Sequence, residues 1–177
     1  MDSPDEELML AYGGGDAGAF ETLYARHRGG LFRFVLRAVK DRGVAEELFQ
    51  EVWVRVIEAR ERYAPKARFT TWLYTIAHNL LVDHWRKKGL SLVALDSDDV
   101  PSESANPARQ AEAREAMARL VHALDTLPAA QREAFLLHEE GGLSVAEIAA
   151  ATGAGEEAAK SRLRYAMGKL KAAVNDD

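Results

Sequence analysis

The chain has no cysteine, so neither a disulfide framework nor a thiolate-ligated zinc organises it. Proline is scarce, with five in 177 residues, and glycine is moderate at 13, which argues against global disorder. No apolar run approaches the roughly 20 residues that a membrane-spanning helix needs, so no membrane insertion is expected. The first ten residues, MDSPDEELML, are acidic and lack a basic stretch followed by an apolar one. That argues against a secretory leader and for a cytoplasmic protein. Net positive charge is also missing. The formal charge is −5, whereas a chain that held nucleic acid unaided would usually be basic.

The charge that is present is segregated. Between Arg62 and Lys88 six basic residues face one acid, Asp83. Between Gly153 and Lys171 five basic residues face Glu156 and Glu157. Acids gather elsewhere, notably at Asp96, Asp98, Asp99 and Glu103. This distribution points to two local phosphate-facing patches on an acidic chain.

Almost every segment has helical periodicity. Ser3-Pro4-Asp5-Glu6 has the form of a capping box with proline at the first helical position. Asp16 and Asp41 are positioned to cap a second and a third helix, and Gly29-Gly30 is expected to interrupt or kink the second. In the third, Leu48/Phe49, Val52/Trp53 and Val56/Ile57 recur every four residues. A short loop at Ala64-Pro65-Lys66 leads to a fourth helix, from about Phe69 to Lys88. Residues 89–106 are acidic and serine-rich, long for a connection inside one compact domain, and read as a flexible linker. Asn106-Pro107 and Pro128 restart helices, and Ser144 to Glu147 forms a second capping box. The expected fold is all-α: two small helical domains over residues 1–88 and 107–177, joined by that acidic linker.

The segment from Leu143 to Lys171 has the parts of a helix-turn-helix. Ile148 is an apolar anchor, Ala149 is small enough for close helix approach, and Gly153 suits a left-handed turn. In the last helix Ala159, Leu163, Ala166, Met167 and Leu170 form the inward stripe. Ser161, Arg164 and Tyr165 point away, with Lys160 and Arg162 on the flanks. Arg and Lys can donate to guanine edges or phosphates, and Ser to either. An αα-hairpin with a solvated basic side is the competing reading.

On the fourth helix, Phe69, Trp72, Leu73, Ile76, Ala77 and Leu80 make the inward stripe. The opposite face carries Thr71, Thr75, His78, Asn79 and Arg86, beside a loop with Tyr63, Lys66 and Arg68. Aromatic and basic groups beside amide and hydroxyl donors are what single-strand recognition uses. Trp72 reads as core and Tyr63 as the better stacking candidate.

At this point the residues resemble a known family. Glu47, Gln50-Glu51 and Trp53 are followed by Phe69, Trp72-Leu73, Ile76-Ala77, Asn79, Asp83 and Arg86. Then come Leu127-Pro128, Gln131-Arg132, Gly142-Leu143-Ser144, Glu147-Ile148-Ala149, Gly153 and Lys160-Ser161-Arg162-Leu163. In this order and spacing they resemble the extracytoplasmic-function (ECF) type of sigma-70 factor of bacterial RNA polymerase. The resemblance implies that residues 1–88 are sigma region 2 and residues 107–177 are sigma region 4. It implies core RNA polymerase and promoter DNA as partners, and an anti-sigma factor as a further family expectation. Glu47, Gln50 and Glu51 would bind core polymerase. Tyr63, Lys66, Arg68, Thr75, Asn79 and Arg86 would meet the −10 element, and Lys160, Ser161, Arg162, Arg164 and Tyr165 the −35 element. No catalytic residue, no cofactor and no metal are expected, and a monomer is expected when the chain is free. Two alternatives compete: a stand-alone helix-turn-helix regulator, and a helical metalloenzyme using His78, Asp83, His84 and Glu46 or Glu47. The second lacks any His-Glu-x-x-His spacing.

Overall fold

A computed structural model describes residues 2–89 and 112–175. It is all-α, with no strand among the described residues. Four helices make up the first half: α1 (Asp5–Gly13), α2 (Ala17–Val39), α3 (Arg42–Glu58) and α4 (Phe69–Lys87). The second half comprises α5 (Glu112–Thr126), α6 (Ala129–Glu139), α7 (Val145–Thr152) and α8 (Glu156–Asn175). The expected acidic linker and the restart at Asn106-Pro107 fall outside the described residues.

Local chemistry starts most helices where the sequence indicated. The Asp16 carboxylate accepts from Ala19 N–H at 3.3 Å and that of Asp41 from Val44 N–H at 3.1 Å. Each satisfies a backbone donor with no partner inside the helix. Ser144 and Glu147 complete a reciprocal capping box. The one expected at Ser3 does not form: α1 is led by Pro4, with no side-chain cap. Tertiary partners take its components instead. Arg26 donates to Ser3 O at 2.7 Å, and Glu6 accepts from Phe69 N–H at 3.1 Å, tying α1 to the start of α4.

Gly29-Gly30 does not break α2, which runs through both residues. The glycine has a packing reason: a Cβ on Gly30 would stand 3.1 Å from Glu140 O and 3.4 Å from the Tyr74 hydroxyl. The helix continues through both glycines although local propensity would weaken it there.

The core of the first half is aromatic. Trp53 meets Phe20 and Tyr24 edge-on at 5.9 and 5.0 Å, and Phe34 meets Tyr74 at 5.2 Å. In the second half Leu127, Leu137, Leu143 and Ile148 are fully buried. Arg132, 3% exposed, donates to Asp125 O at 3.2 Å and Leu127 O at 2.9 Å, closing the end of α5. Burial pulls its pKa down from the usual guanidinium value.

The two halves touch along α4 with α7 and α2 with α6. Arg33 Nε–H is shared between the two oxygens of the Glu140 carboxylate at 3.0 and 3.1 Å, and Lys40 donates to Asp125 O at 2.8 Å. His78 Nδ1 lies 2.7 Å from Glu133, which is 4% exposed. This contact changes the face of α4. Thr71 and Tyr74 are buried, Trp72 and Ile76 are only half-buried, and the inward side comprises Phe69, Leu73, Ala77, Leu80, Leu81 and Trp85. A single-stripe reading could not foresee a helix covered on two sides.

Candidate nucleic-acid interface

In α7 and α8 the helix-turn-helix is built as its sequence suggested. Gly153 sits at φ 72°, the left-handed conformation that ends α7 and turns the chain. Ala149 and Ala159 are buried where the two helices approach. Lys160, Arg164 and Tyr165 are exposed on α8, and Ser161 and Arg162 are half-buried beside them. The Arg164 guanidinium lies 5.5 Å from the Tyr165 ring centroid, so each restrains the other at the surface. Met167, placed inward by its periodicity, is 46% exposed, because α5 and α6 pack on α8 from the side of Ala159, Ala166 and Leu170.

The loop between α3 and α4 borders an open groove of about 560 Å³ lined by Arg62, Tyr63, Lys66, Thr71, Trp72, Thr75 and, from α7, Ala150. An apolar floor with a cationic rim suits a flat base attached to a phosphodiester. Within it Tyr63 is the more buried of the two aromatic rings and Trp72 the less, the reverse of the expected burial. Tyr63 is 8% exposed and packs edge-on against Trp72 at 4.9 Å, so it is the wall. Burial, with Glu6 and Asp5 nearby, pushes its phenol up to about 12. Trp72 is half-buried and lines the groove.

The other expected residues of this face are spread along it. Lys66 is exposed on the rim, and Asn79 and Arg86 are exposed further along α4. Thr75 donates to Thr71 O at 2.6 Å. Arg68 is already engaged: it donates to Glu147 at 2.7 Å and to Gly142 O at 3.1 Å. The Thr71 hydroxyl donates to the same Glu147 oxygen at 2.8 Å. Burial raises the Glu147 pKa, but the Ser144 N–H, the Thr71 and Ser144 hydroxyls and Arg68 outweigh that and leave it below its ordinary value. Glu147 and Ala150 were not foreseen at this groove, since nothing in sequence spacing brings α7 to α4.

On α3, Glu47, Gln50 and Glu51 are exposed on one face. Val54, 42% exposed, continues that face one turn on and was missed, because its apolar side chain read as core. Among the described residues no three metal-ligating side chains gather, and His78 is engaged by Glu133.

Sigma-70 region 2 matches residues 23–90, which carry the groove, and sigma-70 region 4 matches residues 117–170, which carry the helix-turn-helix. The chain belongs to the sigma-70 family and is an ECF-type sigma factor. It is 34% identical over 165 residues to the RNA polymerase sigma factor CarQ of Myxococcus xanthus, covering 92% of this chain and 93% of that one. It is 31% identical over 166 residues to the ECF sigma factor SigL of Mycobacterium tuberculosis, covering 91% and 92%. The sigma factor RpoE of Bartonella quintana, solved in complex with the anti-sigma factor NepR, superposes with a TM-score of 0.69 at 27% identity, covering 89% of this chain and 98% of that one. The protein is thus an alternative sigma factor that binds core RNA polymerase and directs it to promoters. The region 2 match removes the stand-alone regulator as an account of the first half. Proteins of this family are generally not enzymes. No helix among the described residues is long and apolar enough to cross a membrane.

Proposed function

We propose that residues 1–88 form the unit that docks on polymerase and holds the opened −10 strand, residues 89–106 the linker, and residues 107–177 the unit that reads the −35 duplex. The observation that carries this reading is the pairing of two different nucleic-acid surfaces on one acidic chain. One is the exposed basic second helix of a helix-turn-helix; the other is an aromatic groove with a cationic rim. The first suits a duplex groove and the second an unstacked base.

Glu47, Gln50 and Glu51, with Val54, are the docking face for polymerase. Trp72 stacks on a base drawn from the −10 element, walled by Tyr63, while Asn79 and Thr75 offer hydrogen bonds to its edge. Lys66, Arg68 and Arg86 hold the backbone. Lys160, Ser161, Arg162, Arg164 and Tyr165 face the −35 duplex. Extruding a base costs a few kcal/mol, and the groove returns that by binding it, so opening needs no catalytic group and no cofactor. The acidic chain binds free duplex weakly, which keeps it off bulk DNA. Docking on polymerase then raises the effective concentration of each surface at the promoter. The chain works in the cytoplasm, is a monomer when free, and is held by an anti-sigma factor, a reading supported by the resemblance to a sigma factor solved with one.

The test is reconstitution with core polymerase on a promoter library. Asn79→Ala should slow opening while leaving −35 binding intact, and Arg162→Ala should do the reverse. If Asn79→Ala opens promoters at the wild-type rate, the assignment of Asn79 to the −10 strand fails.

A further inference from the structure

We propose that Gly168 is a seat for the sugar-phosphate strand that flanks the −35 element. Its missing side chain lets the duplex backbone rest against α8, held from either side by Arg164 and Lys171. This rests on the reading of α8 as the duplex-facing helix, and goes beyond it by giving a role to a residue past those placed on the duplex.

Gly168 lies inside α8, which runs unbroken from Glu156 to Asn175. Glycine is the weakest helix former after proline, so at an exposed interior position it lowers stability unless something requires it. The other glycines inside the described helices have a neighbour to accommodate. A Cβ on Gly18, Gly29, Gly30 or Gly43 would fall 3.1–3.4 Å from another group, and one on Gly13 would strike Arg60 O. A Cβ on Gly168 meets nothing within 4 Å, and the residue is exposed. Among the described residues no neighbour asks for a glycine there. The requirement lies with something that comes to the helix from outside.

Its direction selects the partner. The buried residues of α8 are Ala159, Ala166 and Leu170. At about 100° per residue Gly168 faces directly away from them, between the directions of Ser161 and Arg164. Arg164, one turn before it, and Lys171, nearly one turn after it, are both exposed. A bare stretch of backbone between two cations suits a polyanion in close contact. The position along the axis then separates strand from base. At about 1.5 Å per residue Gly168 stands roughly 18 Å from the start of α8. A major groove is about 12 Å wide. With the N-terminal turns of α8 in the groove, Gly168 falls where the helix leaves it and crosses the flanking strand. Its N–H is spent on the helix ladder, so it offers closeness rather than a donor. The strand gains Cα–H contacts and comes within reach of both cations, whereas a side chain at 168 would hold it away from them.

Two opposite shifts follow from one substitution. Gly168→Ala adds a methyl group in open space, so the free chain should melt about 2–4 °C higher. The same methyl group holds the strand off. Holoenzyme reconstituted with core polymerase should then bind a duplex carrying the −35 element of a promoter it transcribes about five-fold or more weakly, and Gly168→Leu more weakly still. At low salt the loss should be equal on a duplex with a scrambled −35 sequence, because a phosphate contact carries no sequence information. Core binding should be unchanged. A Gly168→Ala protein that melts higher but binds the duplex as the wild type does overturns the proposal, the glycine being merely tolerated. A lowered melting temperature overturns it as well, since the glycine then serves packing within the chain. A loss confined to the specific duplex overturns it in favour of a base contact, and weakened core binding in favour of a protein partner. Arg164→Ala tests the underlying reading separately. If it also leaves duplex binding unchanged, α8 is not the duplex-facing helix; if it weakens binding while Gly168→Ala does not, only the seat at Gly168 is refuted.

Discussion

Trp72→Ala should separate stability from strand capture, because the ring serves both. The ring meets Tyr63 at 4.9 Å and Phe69 at 5.7 Å, with its outer face on the groove. Truncating a fully buried tryptophan costs about 3–5 kcal/mol. Trp72 is half-buried, so about 2 kcal/mol of folding stability should go. Stacking of one base on an aromatic ring is worth about 1–3 kcal/mol, so open-complex formation should fall about 5- to 150-fold beyond the stability effect. Urea melting of the free factor measures the first loss. Open-complex formation with core polymerase, at saturating folded factor, measures the second. Trp72→Phe keeps a stacking face and should recover most of the opening. Tyr63→Phe keeps the wall and should leave opening unchanged. If Trp72→Ala lowers stability but opens promoters at the wild-type rate, the tryptophan is core alone and the groove is not a stacking site.

Other outcomes follow from particular contacts. Arg132→Ala leaves the carbonyls of Asp125 and Leu127 without their charged donor and should cost about 3 kcal/mol of folding stability, read by thermal melting. Gly153→Ala forces a side chain into the left-handed conformation and should cost about 1–2 kcal/mol, weakening −35 binding in proportion to the fraction unfolded. Lys160→Ala should flatten the dependence of log affinity on log salt for the −35 duplex by about 0.9, with little change in sequence preference, if it meets one phosphate. Glu147 is held below its unfolded value of 4.5, so the stability it contributes is present above that pH and lost as pH falls through its lower folded value. An acid titration of the wild type against Glu147→Gln should show that loss only in the wild type.

Sequence periodicity carried the fold a long way, because helix caps and turn glycines act within four residues of each other. Asp16, Asp41, Ser144 and Gly153 each do locally what their residue types suggest. The helix-turn-helix was legible for the same reason. What failed was decided at long range. Ser3 and Glu6 look like a cap but are used by Arg26 and Phe69. Gly29-Gly30 looks like a kink but makes room for Glu140. Trp72 looks like core because a stripe count cannot tell which edge of it faces a groove. Glu147 looks like a cap and is one, yet it also binds Arg68, 79 residues away. No pattern in one sequence sets that distance.

The most direct test of the account is to add the purified chain to core RNA polymerase and measure run-off transcription from promoters carrying two separated elements. The account predicts core-dependent transcription that Trp72→Ala reduces at the opening step and Arg162→Ala reduces at the duplex-binding step. Transcription that either variant leaves unchanged, or a chain that fails to bind core, would contradict it.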